Sequence, residues 1–116
     1  MAYEEGLAQL LRDDLGDAAF TEQKMFGGLA FLIGGNMVCG VHKGGAMFRL
    51  GKERMDQALT LPGVAQMAMA GRAMTGMAEC PPEVLAQDAT RGALMALALD
   101  CVRALPPKVA KAPKTR

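Results

Sequence analysis

At 116 residues the chain has the length of one domain, and with 51% hydrophobic and 22% charged residues it has the material for one core, which excludes disorder along its whole length. The net charge is +1, but Lys108, Lys111, Lys114 and Arg116 lie in the last nine residues without an acid and leave the remainder at −3, which excludes a basic body built to grip a phosphate backbone. Three scattered cysteines, an acid-rich start and no run near the roughly 18 apolar residues that span a bilayer point to a cytoplasmic protein with free thiols and no membrane association.

Residues Tyr3 to Leu15 read as an amphipathic helix, with Tyr3, Leu7, Leu10 and Leu11 at helical spacing and Gly16 as its stop. Glu4 and Glu5 near its start suit the helix dipole. The period then changes. Ala19 to Met25 reads as extended, Gly27-Gly28 breaks the chain, and Leu29 to Ile33 is an apolar strand. Gly34, Gly35 and Asn36 form a turn, because Gly and Asn tolerate positive φ. Met37 to His42 is the next strand, Gly44-Gly45 a hairpin signal, and Ala46 to Leu50 a third strand. Tight turns between successive strands make this an antiparallel meander.

After Gly51, Lys52 to Leu59 reads as a short helix closed by Leu61-Pro62-Gly63. Two strands follow, Ala65 to Met69 and Met74 to Glu79, with Gly71-Arg72 between them. Pro81-Pro82-Glu83 opens another helix, with Pro82 suited to a first-turn position. Thr90 is the expected N-cap of the last helix, whose apolar positions Leu94, Leu97, Cys101 and Leu105 recur every three or four residues before Pro106-Pro107. The expected fold is α+β: one domain over residues 1–106, a curved antiparallel sheet of five or six strands with helices packed on it, and a basic disordered tail over residues 107–116.

Lys24-Met25-Phe26-Gly27-Gly28, the strand after it, the Gly/Asn turn with Met37 and a further strand resemble the N-terminal domain of the TfoX/Sxy family of competence regulators. Gly71-Arg72-Ala73-Met74-Thr75-Gly76 and the closing Leu105-Pro106-Pro107-Lys108 resemble its small stand-alone members, and the likeness runs over about residues 2 to 108. The resemblance implies a curved antiparallel sheet with flanking helices and a bacterial regulatory role exerted through protein contacts with transcription machinery. Full regulators of the family carry a second, helical C-terminal domain, so a small stand-alone member is expected. The resemblance brings no catalytic residues with it.

The residues themselves argue against several chemistries. Cys39 and His42 differ by three positions on a strand and so face opposite sides, unless a bulge at Gly40 intervenes; Cys39, between Val38 and Val41, reads as a small buried hydrophobe. Cys39, His42, Cys80 and Cys101 share only one short spacing, which does not suit a zinc site. The glycine pairs fit no phosphate-loop pattern. Asp13, Asp14 and Asp17 read as a solvated face. No enzyme activity, cofactor or metal is therefore expected.

Ten methionines and few aromatics leave two readings of the sheet: methionine filling the core, or a Met-rich face that binds a partner or packs a homodimer. The leading expectation is a non-enzymatic protein-interaction domain with a protein partner, read through Lys24, Met25, Phe26 and Arg72, which lie in or beside glycine breaks. The alternatives are a small-molecule or enzymatic pocket between sheet and helices, and nucleic-acid contact through the tail, which is the less expected.

Overall fold

The computed structural model describes residues 5–25, 27–42, 44–69 and 71–105, without the side chains of Met25 and Met69. The expected tail, Tyr3 and Phe26 lie outside the described residues.

Helix α1 (Glu5–Leu15) sends Leu7, Ala8, Leu11 and Leu15 inward, the stripe expected from its 3.6-residue period. Six strands follow: β1 (Thr21–Met25), β2 (Gly28–Ile33), β3 (Asn36–His42), β4 (Gly45–Arg49), β5 (Ala65–Met69) and β6 (Arg72–Cys80). Between β4 and β5 the chain makes a 3₁₀ turn (Lys52–Arg54) and one turn of helix, α2 (Met55–Ala58), where the sequence reads as one helix to Leu59. Helices α3 (Pro82–Leu85) and α4 (Asp88–Arg103) complete the order.

All strands pair antiparallel in one curved sheet of order β1-β2-β3-β4-β6-β5. Four consecutive strands form a meander, and the β5–β6 hairpin returns with β6 against β4. Cross-strand partners share a face. Leu29, Val41, Ala46 and Cys80 form one row, and Phe31, Cys39, Phe48 and Ala78 the next. These rows meet α1, α3 and α4 in the core, together with Leu94, Ala98 and Val102. At about 25 cal/mol per Å² of apolar surface, each fully buried large side chain here contributes about 2 kcal/mol.

The Gly34-Gly35 turn is as expected, with φ of 61° and 82°, the doubly left-handed geometry of a tight hairpin. Asn36 is already the first residue of β3, and it is buried. The next hairpin differs by one residue from the sequence reading. His42 pairs with Gly45, so the loop is residues 43 and 44, and Gly45 lies in β4 at φ 131°. A Cβ at Gly45 would run into the Cys80 carbonyl, so this glycine serves strand packing and not the turn.

Strand β6 is longer than Met74 to Glu79, because Gly76, at φ 82°, lets it bulge and continue. The Gly76 carbonyl accepts the N–H groups of Leu50 at 2.8 Å and Gly51 at 3.1 Å. The Gln66 side-chain amide nitrogen lies 2.5 Å from the Met74 carbonyl oxygen and 3.3 Å from that of Met77, which ties the bulge to β5.

Pro82 takes the first turn of α3 as expected. Thr90 is not the N-cap of α4. The cap lies three residues earlier, at Gln87, which accepts the Arg91 backbone N–H, and Thr90 is buried in the first turn. Asp14 is not part of a solvated face either. Arg91 Nε donates to its Oδ2 at 2.7 Å, and Arg91 also donates to the Leu85 carbonyl at 3.1 Å. Among the described residues no helix is long and apolar enough to cross a membrane.

Candidate functional site

Lys24 is an exposed residue of β1, the outer strand on one side of the sheet. Arg72 is exposed at the start of β6. Strands β2, β3 and β4 lie between these elements, which puts them four strand spacings apart, roughly 19 Å measured along the sheet. The pair therefore marks two surfaces, not one. Met25 pairs with Gly28 at the end of the first hairpin, and Phe26 falls outside the described residues.

The geometry explains the glycines of the Met-Phe-Gly-Gly run. Gly27 has φ 74°. A Cβ at Gly28 would collide with the Val41 carbonyl of the neighbouring strand. Both glycines answer to backbone demands of the β1–β2 hairpin.

Cys39 and His42 sit as the alternation predicts. There is a bulge, but it lies before Cys39: Phe31 pairs with Cys39 and Leu32 with Met37, which leaves Val38 as the extra residue. From Cys39 onward the alternation is unbroken, with Cys39 and Val41 in the helix-facing core and His42 on the other side. Burial, reinforced by the charge of Asp14, pushes the Cys39 thiol up, and burial with Glu79 pushes Cys80 up to about 11. Both are held as thiols, the unreactive form. His42 Nδ1 accepts the Gly44 N–H at 3.0 Å, while its Nε2 is buried without a hydrogen-bond partner among the described residues. Among the described residues no three His, Cys, Asp or Glu side chains gather as metal ligands.

The methionines are mostly packed. Met47 and Met67 are buried on the sheet face away from the core cluster, and Met55 and Met95 are buried within that cluster. Met37, Met74 and Met77 are half-buried. Among the described residues Leu59 is the large apolar side chain that stands exposed.

A feature the sequence reading missed is a cleft of about 380 Å³ where β4 ends, β6 bulges and α4 finishes. Arg49, Arg54, Glu53 and Thr75 are its polar lining, Gly51 and Gly76 contribute backbone, and Met77, Cys101, Ala104 and Leu105 are its apolar lining. A Cβ at Gly76 would press on the Gly51 backbone at 3.3 Å, and Gly51 has φ 86°. Two glycines thus bring two backbones together. Arg54 Nη1 donates to the Leu50 carbonyl at 3.3 Å and to exposed Glu53 at 3.1 Å. The side chain of half-buried Arg49 makes no hydrogen bond or ion pair with any described residue. These residues come from three distant stretches of chain, so no spacing rule could have grouped them.

No curated protein and no solved structure matches the chain. The profile of the TfoX N-terminal domain does match, over residues 10–102, which include most of α1, the whole six-stranded sheet and nearly all of α4. Taken with the strand order and the glycines that the Met-Phe-Gly-Gly hairpin requires, this match means that the chain belongs to the TfoX N-terminal domain family.

Proposed function

We propose that this chain is a cytoplasmic, non-enzymatic regulatory domain that acts by contact with a protein partner. Membership of the TfoX N-terminal domain family is the observation that carries this reading. Two features support it. The outermost strand β1 displays Thr21, Glu22, Gln23 and Lys24, a polar, exposed edge whose outer backbone groups are open to a partner strand. The thiols, the chain's best potential nucleophiles, are all buried. The partner engages the Lys24 corner, the Arg72 corner, or both in a complex large enough to span the sheet.

The test is affinity capture from cell lysate with wild type, Phe26→Ala, Lys24→Glu and Arg72→Glu proteins, each shown by circular dichroism to be folded. The expected result is a recovered protein that one or more of the variants loses. Identical proteins recovered with all four would remove these residues as the contact surface. A second copy of this chain as the recovered protein would identify the contact as a homodimer.

A further inference from the structure

We propose that the cleft between the β4–β6 end of the sheet and the C-terminal end of α4 binds a small organic anion, with its carboxylate or phosphate group on Arg49 and Arg54 and its apolar part against Met77, Cys101 and Leu105. This goes beyond the protein-contact reading and does not depend on it.

The charge arrangement comes first. A guanidinium carries five N–H donors and no acceptor, and it keeps its charge at any physiological pH. A half-buried arginine is normally paired, since its donors are otherwise held away from both water and partner. Arg91 and Arg12 follow that rule, with carboxylates at 2.7 and 2.6 Å. Arg49 does not, and it is one of the residues that line the cleft. Arg54 lines the same cleft and has a single carboxylate beside it, that of Glu53, whose side chain is 74% exposed and so weakly held. Glu53 lines the cleft too, and its full negative charge with the partial one at the end of α4, about half a unit, offsets most but not all of the two positive charges.

The shape comes second. A volume of about 380 Å³ falls at the small end of the range for ligand pockets. Its lining mixes two chemistries: arginine, the Thr75 hydroxyl and the Glu53 carboxylate stand beside methionine, thiol and leucine, with Arg49 and Met77 as cross-strand neighbours. A bare inorganic ion would leave the apolar lining uncovered. An oxyanion with a short apolar body meets both.

The rigidity comes third. The β4 end and the β6 bulge are joined by two backbone hydrogen bonds to the Gly76 carbonyl, and Gln66 holds the bulge from behind. The arginines are therefore presented from fixed backbone, which lowers the entropy cost of binding. Bulges of this sort recur beside binding sites because they re-aim side chains.

The proposal is tested by two-dimensional NMR titration of the full chain with phenyl phosphate, benzoate and inorganic phosphate separately. Saturable shifts at Gly51, Thr75, Gly76 and Met77 are expected with phenyl phosphate, with benzoate, or with both, and they separate a phosphate from a carboxylate preference. The Arg49→Gln/Arg54→Gln protein should bind roughly tenfold or more weakly. Ala104→Trp, which keeps both arginines and adds bulk at another lining position, should weaken binding equally. Each variant is first shown to keep the wild-type amide spectrum away from the cleft. Non-saturable shifts with both organic probes up to about 10 mM overturn the proposal, as does undiminished binding by the double variant. Inorganic phosphate binding as tightly as phenyl phosphate also overturns it, because the apolar lining would then contribute nothing.

Discussion

Arg91 Nε stands 2.7 Å from Asp14 Oδ2, and this ion pair joins the last turn of α1 to the first turn of α4 across 77 residues of sequence. The same guanidinium donates to the Leu85 carbonyl at the end of α3 and to Asp88 at 2.9 Å. One side chain thus fixes three helices over the sheet. The Arg91 side chain is 8% exposed and that of Asp14 is 23%, whereas Asp88 is 90% exposed.

The two carboxylates should therefore differ in weight. Arg91→Ala leaves Asp14 half-buried without its counter-ion and should cost about 3 kcal/mol in urea unfolding. Asp88→Ala removes an exposed partner and should cost less than about 0.5 kcal/mol. Equal losses would mean that the interhelical pair carries no special load.

On the same helix-covered face, at the β1 edge, Arg12 meets Glu22 through Nε at 2.6 Å and Nη2 at 3.0 Å, and its guanidinium lies 5.8 Å from the Phe31 ring centroid. The hydrogen bond from Arg12, with its charge, holds the Glu22 carboxyl below the ordinary 4.5. A carboxylate whose folded pKa is depressed adds stability above its unfolded pKa, and that stability is lost as pH falls through the folded value. Glu22→Gln should therefore destabilise the fold at neutral pH by less than about 1 kcal/mol, because the pair is partly exposed. The difference should vanish below the folded pKa of Glu22. Denaturation curves of both proteins at neutral and strongly acidic pH measure it, and a gap that persists unchanged in acid contradicts this assignment.

The glycines separate into two groups. Gly28→Ala and Gly45→Ala put a methyl group into the carbonyls of Val41 and Cys80, and each should cost more than about 3 kcal/mol or prevent folding. At Gly71, with φ 79° and no atom within 4 Å, alanine meets only the backbone penalty and should cost about 1 kcal/mol. Thermal melts of the three proteins check the order. Equal tolerance at Gly28 and Gly71 would refute the close-approach explanation of Gly28.

The cysteines should be graded by position. Cys39 and Cys80 are core thiols held protonated, while Cys101 lines the cleft. In the folded protein near about pH 8, maleimide should label Cys101 first, and Cys39 only on global unfolding. Mass spectrometry of the labelled peptides follows this directly, and labelling of Cys39 at the rate of Cys101 would contradict the packing of β3.

Much of the fold is legible in the sequence because its punctuation is glycine and proline. Gly34-Gly35 and Pro82 do in space what their dihedral preferences predict. Legibility fails where one residue answers to a distant neighbour. Gly45 looks like a turn residue, but its reason is the Cys80 carbonyl. Thr90 looks like a cap, but α4 begins two residues earlier, with Asp88 and Arg91 bonded in its first turn. Asp14 looks like a solvated charge until the fold sets Arg91 beside it. The cleft is the extreme case: its arginines come from β4 and the 3₁₀ turn, its hydroxyl from β6 and its apolar lining partly from α4, and none carries a local pattern.

The measurement that tests regulation by contact most directly is transcript sequencing in cells lacking this gene. The cells are complemented with the wild-type chain or with the Lys24→Glu/Arg72→Glu chain at equal protein level. The account predicts that loss of the gene alters a defined set of transcripts, that the wild-type chain restores them, and that the variant does not. An unaltered transcript profile on deletion, or full restoration by the variant, would contradict it.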